Sequence, residues 1–309
     1  MHLGFVSAIL PELTLDEVLA KAAAIGYDAV EAMCWPPGKA ERRYAGVTHV
    51  DVTVLRPARR RRIRDLQYEH RVRLSALGYY PNPLSPDGTA RRTALDHLRR
   101  VIEAAAALDV GCVTTFVGRD PTRTIDEQWD DFLGTWEPLL AFAKTHDVRL
   151  AIENCPMRFG ADEWPGGHNL AVSPAVWERM WRDLPDAHWG LNYDPSHLVL
   201  QHMDYCAPLR DYPERLHHVH AKDLRIDRAA LDRHGVFAHP KLWHTPKLPG
   251  LGDVDWGRFF GYLVESGYEG AVCVEVEDRA YEGSAALRER ALRQSRDYLR
   301  QYVPKLPKP

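Results

Sequence analysis

Two rhythms of apolar and polar positions run through the chain. Short apolar runs, the length of buried strands, are separated by longer stretches whose apolar residues recur at helical spacing. The strand-like runs are Leu3 to Val6, Tyr27 to Glu31, Arg73 to Leu77, Val110 to Val117, Val148 to Ile152, Trp189 to Tyr193, Leu216 to Ala221 and Ala271 to Val274. Between them the first helix opens at Thr14 with Glu17 three residues on, a capping box, and Gly26 closes it. A helix from about Pro57 to His70 carries four consecutive arginines, Arg59 to Arg62, which read as a solvated face beside Asp65 and Glu69 rather than a phosphate patch. Strong helical periodicity over 89–108 and again over 125–146 places Leu98, Val101, Trp129, Phe132, Trp136 and Phe142 in the core. Ser173 and Pro174 start a further helix, and helices are expected over 208–215, 256–266 and 285–302. Irregular loops are expected over 35–53 and 160–167, and a long one over about 224–255.

Eight strands thus alternate with helices, with no linker between the units. Alternation of this kind means a parallel sheet, and eight units in a chain of this length predict a single-domain α/β fold, a (β/α)8 TIM barrel spanning residues 1–309. A doubly wound open sheet is the second choice. It is weakened by Phe5-Val6-Ser7-Ala8-Ile9, which offers no glycine-rich turn after the first strand.

Composition narrows the class. Of 309 residues, 45% are hydrophobic and 27% charged, ordinary for a globular chain, and the formal charge of -3 gives no reason to expect nucleic acid or an anionic membrane. Cys34, Cys112, Cys155, Cys206 and Cys273 are scattered, odd in number and without CxxC spacing, which argues against a disulfide framework or a zinc knuckle. No apolar run is long enough to span a membrane, and Met1 to Phe5 runs straight into the first strand, so a cytoplasmic location is expected.

Candidate chemistry collects at strand ends, where ligands bind in parallel α/β proteins. The fifth to eighth strands end in or beside Glu153, Asp194, His220 and Glu275. Successive strand ends are neighbours in a barrel, so these side chains would converge over one half of its mouth. Three carboxylates and one imidazole suit one divalent cation, Mn²⁺ first, with Mg²⁺, Co²⁺ or Fe²⁺ also compatible, better than a structural zinc. His197, three residues past Asp194, could ligate or hydrogen-bond a substrate. Lys222 and Arg225 could hold substrate oxygens or a phosphate, or be surface charge. Asn154 and Glu277 are placed to orient the ligands. His217 and His218 alternate faces on their strand; at least one should point into the helix layer, and neither is taken as a ligand.

Six segments carry a family resemblance: Gly26-Tyr-Asp-Ala-Val-Glu31, Ile152-Glu-Asn154, Asn192-Tyr-Asp-Pro-Ser-His197, His218-Val-His-Ala-Lys-Asp223, Leu248-Pro-Gly-Leu-Gly-Asp-Val-Asp-Trp256 and Val274-Glu-Val-Glu277. Over nearly its whole length the chain resembles the xylose isomerase-like barrels, and within them the sugar phosphate isomerase/epimerase group that includes the D-tagatose and D-psicose 3-epimerases. The resemblance implies that Glu153, Asp194, His220 and Glu275 bind one divalent metal, that His197 contacts a small sugar substrate, and that the chain forms a homo-oligomer. It implies chemistry through an enediolate, with Glu153 and Glu275 as the acid and base. Related dehydratases, keto-sugar lyases and C-glycoside-cleaving enzymes expel a leaving group from the same intermediate, which is the alternative activity. Endonuclease IV repair enzymes share the superfamily, and Asp232-Arg233-His234 resembles one of their ligand pairs. Leu77-Gly-Tyr-Tyr80 and Thr115-Phe-Val-Gly118 lack the histidines such a centre needs. A barrel that only binds a sugar is the non-enzymatic reading.

Overall fold

The computed structural model describes residues 1–38, 44–158 and 167–304. Its strands are β1 (His2–Val6), β2 (Ala29–Met33), β3 (Arg73–Gly78), β4 (Cys112–Thr115), β5 (Arg149–Glu153), β6 (Trp189–Tyr193), β7 (Leu216–Ala221), β8 (Asp223–Ile226), β9 (His244–Lys247) and β10 (Ala271–Val274). The α-helices are α1 (Leu15–Ile25), α2 (Pro57–His70), α3 (Gly88–Ala107), α4 (Trp129–Thr145), α5 (Pro174–Asp183), α6 (Ser196–Leu200), α7 (Ala207–Asp211), α8 (Arg228–His234), α9 (Trp256–Glu265) and α10 (Ala285–Leu299). Eight strands close into an all-parallel barrel in the order β1-β10-β7-β6-β5-β4-β3-β2, the predicted (β/α)8 architecture.

Local chemistry accounts for the helix starts. Thr14 accepts from Glu17 N–H while the Glu17 carboxylate takes the Thr14 N–H, the reciprocal box that satisfies two otherwise orphaned donors, and Gly26 closes α1 at φ 99°. The arginine face of α2 is exposed; Arg62 pairs with Asp16 and Glu69. Ser173 stands at the N-cap of α5 without a side-chain bond to it. Trp129, Phe132, Trp136 and Trp189 pack together between the α4 layer and the barrel wall, all at most 5% exposed. No helix among the described residues is long and apolar enough to cross a membrane.

One expectation is corrected. The stretch over 224–255 is not a structureless loop. β8 and β9 pair antiparallel, from Asp223↔Lys247 to Ile226↔His244, with α8 between them. Leu224, Ile226 and Trp243 form a small core of their own under this hairpin. Its root is a single carboxylate. Asp223 accepts from Leu224 N, Gly250 N, Val254 N and Trp256 Nε1, at 2.9–3.1 Å. That explains the glycines of the Leu248–Trp256 motif. Gly250 has φ +85°, and a Cβ on Gly252 would lie 2.2 Å from Asp223 Oδ1. After β6 the chain enters a short helix, α6, which carries His197. Of the two shorter loops, 39–43 and 160–166 fall outside the described residues.

Candidate metal centre

β5, β6, β7 and β10 are consecutive around the barrel, and their C-terminal ends bring Glu153, Asp194, His220 and Glu275 into one group. One ligand atom from each lies within 4.8 Å of the others. His220 Nδ1 stands 3.8 Å from Glu153 Oε1 and 3.7 Å from Glu275 Oε2. Neighbouring side chains fix the set. Asn154 exchanges two 2.9 Å bonds with the Asp194 backbone, tying the ends of β5 and β6 together. Asn169 Nδ2 donates to the Glu153 carbonyl at 2.8 Å. Asp194 Oδ1 accepts from Ser196 N–H at 2.8 Å, which leaves Oδ2 facing inward.

Sequence reasoning gave no role to Glu31, yet it is the residue on which His220 depends. Glu31 lies on β2, on the far side of the lumen, and is fully buried. Its Oε1 accepts from Tyr80 Oη and from Thr114 Oγ1, the latter at 2.7 Å. Its Oε2 takes the Nε2 proton of His220 at 2.7 Å. With Nε2 so committed, the Nδ1 of His220 is the atom turned to the carboxylates. The clue in the sequence was a lone charge inside an apolar strand, Ala29-Val-Glu-Ala-Met33. His218 is also inside the barrel, bonded to Asn192 Oδ1 at 2.9 Å and Ser75 Oγ at 3.2 Å. The His217 ring lies instead against Gly190.

Lys222 is 3% exposed, and its ammonium stands inside the acidic group. Nζ is 2.6 Å from Glu275 Oε2, 3.0 Å from Asp194 Oδ2, 3.4 Å from Glu277 Oε2 and 3.7 Å from Glu153 Oε1. His197 Nε2 lies 3.3 Å from Glu153 Oε1 and 3.2 Å from Asp194 Oδ2. Arg225 is not brought to this group. It is the exposed residue of β8, on the hairpin, and the structure gives it no part in the centre.

The proton affinities of the two glutamates are driven apart. Burial, with Glu153 and Glu277 nearby, overrides the Lys222 charge and raises Glu275 to about 7. Burial also pushes Glu153 up, but hydrogen bonds from His197 and His220 and the Lys222 charge outweigh it and hold that carboxyl well below the usual range. Burial opposes charge on His220 and Lys222, and the surrounding carboxylates overcome it, holding both well above their ordinary values. His220 Nδ1 reaches the carboxylates of Glu153 and Glu275 only at 3.7–3.8 Å, and Asp194 Oδ2 faces Lys222 Nζ at 3.0 Å and His197 Nε2 at 3.2 Å. Four ligand atoms converging on one point, amid concentrated negative charge, are what a divalent cation would satisfy, and the oxygen-rich set fits one. A cavity of about 100 Å³ opens above, walled by Met33, Trp35, Tyr44, Phe116 and Met157 and floored by Glu153, Lys222 and Glu275.

Residues 19–302 match the family described as xylose isomerase-like TIM barrel. The chain belongs to that family. The chain is 26% identical to YfiH, an uncharacterised protein of Bacillus subtilis (strain 168), over 93% of this chain and 96% of that protein. It is 37% identical to an inosose dehydratase of Clostridium tetani, over 28% of this chain and 30% of the dehydratase. The fold superposes on a D-psicose 3-epimerase solved in the presence of D-fructose, with TM-score 0.71 and 16% identity over 99% of this chain and all (100%) of the other.

Proposed function

We propose that the chain is a divalent-metal-dependent isomerase or epimerase of a keto sugar or related polyol, acting through an enediolate. Glu153, Asp194, His220 and Glu275 would hold the cation, with manganese first among the candidates. When bound, it supplies positive charge to stabilise the oxyanion that develops when a proton leaves the carbon next to a carbonyl. The observation that carries the reading is geometric: Glu153 and Glu275 stand in one buried group with Asp194 and His220, one ligand atom of each within 4.8 Å of the others, so two carboxylates flank the space where a carbon would react. Glu153, held ionised, takes the proton. Glu275, on the other side of the group, returns one. Return to the opposite face of the same carbon is epimerisation; return to the neighbouring carbon is aldose–ketose isomerisation. His197 and Lys222 border the same space and hydrogen-bond substrate oxygens. The aromatic walls of the cavity exclude water from the reacting carbon.

Dehydration is the second reading, favoured by the local similarity to inosose dehydratases and by the Lys222 ammonium beside the two glutamates. A cation there can hydrogen-bond a departing hydroxyl. The test is deuterium incorporation from D₂O into a panel of keto sugars and inososes, followed by NMR with Mn²⁺ added or chelated. Metal-dependent exchange next to the carbonyl, lost in Glu153→Gln and Glu275→Gln, is the expected result, and the products separate epimerase from dehydratase. Bound metal with no exchange in any substrate of the panel counts against enediolate chemistry.

A further inference from the structure

A second group of ligand types adjoins the first. Cys155, two residues past Glu153, lines the cavity beside it. Across from them stands His197, and one ligand atom from each of Glu153, Cys155 and His197 lies within 4.8 Å of the others. A sulfur, an imidazole nitrogen and a carboxylate oxygen are the donors that thiophilic divalent ions select, and zinc binds such sets with three protein ligands and an open position. The neighbouring group of Glu153, Asp194, His220 and Glu275 holds no sulfur, so the two groups differ in the ion they favour. Glu153 belongs to both: its Oε1 lies 3.3 Å from His197 Nε2 and 3.8 Å from His220 Nδ1. Asp194 Oδ2, fully buried, lies 3.2 Å from His197 Nε2 and 3.0 Å from Lys222 Nζ and faces the same space.

We propose that Glu153, Cys155 and His197 form a second cation site, for a thiophilic divalent ion of the zinc class, sharing the Glu153 carboxylate with the first centre. Binding displaces the thiol proton to solvent and takes the lone pair of a neutral His197 imidazole. It removes His197 from the substrate-facing wall, so an ion here competes with the hydrogen bond that His197 would give a sugar oxygen. The site does not depend on which reaction the first centre performs.

Cobalt(II) is the probe, because a thiolate bound to it gives a near-ultraviolet charge-transfer band that oxygen and nitrogen ligands do not. Metal-free full-length protein is titrated with Co²⁺, following the band and the cobalt retained after desalting. The wild type is expected to show the band and to hold one more equivalent than Cys155→Ser, which loses the band and keeps the first equivalent. Glu275→Gln, altered only in the first centre, is expected to keep the band. Cobalt bound by the wild type without a charge-transfer band overturns the proposal. So does a band that survives in Cys155→Ser. A band lost in Glu275→Gln while Cys155 is intact also overturns it, because sulfur would then be a ligand of the first centre alone.

Discussion

Replacing Glu31 by glutamine changes one atom, 2.7 Å from His220 Nε2, and tests whether a residue across the lumen sets the ligand nitrogen. Tyr80 and Thr114 both donate to Glu31 Oε1, so the oxygen of the new amide stays with them. The amide nitrogen then faces His220 Nε2 and can only donate. His220 must accept there, and its proton moves to Nδ1, the atom directed at Glu153 and Glu275. A protonated Nδ1 cannot ligate, so the substitution withdraws one of four ligands without touching the group itself. Loss of such an orienting carboxylate costs roughly 10- to 100-fold in metal affinity, or about 1.4–2.7 kcal/mol. Isothermal titration of metal-free wild type and Glu31→Gln with Mn²⁺ reads the difference, with near-ultraviolet circular dichroism to confirm native packing. Equal Mn²⁺ affinity in a natively packed variant would refute the tautomer argument.

Lys222→Met leaves the carboxylates around Nζ without their internal cation; the metal-free protein is expected to lose about 3 kcal/mol, the scale for unpairing a buried charge, and Mn²⁺ to restore more melting temperature than in wild type, both read by thermal scans. His218 is lowered by burial from 6.5 to about 4, so the native state refuses a proton that the unfolded chain takes. Its contribution to stability is therefore complete above pH 6.5 and is lost as pH falls toward 4, at up to about 1.4 kcal/mol per pH unit. Denaturant unfolding of metal-free protein across that window should show a steeper acid loss in wild type than in His218→Gln, and parallel curves would sink the assignment. Asp223→Ala orphans four donors at the hairpin root and is expected to cost roughly 4 kcal/mol or more, and Gly252→Ala to destabilise through the clash with Asp223; denaturant midpoints equal to wild type would contradict both.

The barrel was legible because its signals are local. Three strands, Trp189–Tyr193, Leu216–Ala221 and Ala271–Val274, begin and end where their apolar runs do, and α1 starts at its capping box. Barrel closure then makes neighbours of strand ends, so Glu153, Asp194, His220 and Glu275 could be grouped from sequence alone. Contacts across the lumen have no such signal. Glu31 and His220 are 189 positions apart, and nothing local joins them. His218 turns inward with His220, two residues on, as strand alternation requires, while His217 faces the other way against Gly190. β8 and β9 were missed because each is four residues long and Pro246 interrupts the second. Arg225 looked like a site residue only while the chain after Ala221 was read as a loop over the barrel mouth; in the hairpin its side chain faces out.

The hairpin leaves the barrel and returns to it at the same carboxylate. Asp223 binds the amide of Gly250, 27 positions on, while the adjacent Lys222 belongs to the metal centre. Everything from Leu224 to Pro249 is therefore a graft on a closed clasp. Such an insertion can lengthen, shrink or change sequence across lineages while the clasp keeps Lys222 in place. The outer turn, where Phe237 is 85% exposed, is where a tag, a fluorophore or a foreign module can be spliced in with the chemistry untouched.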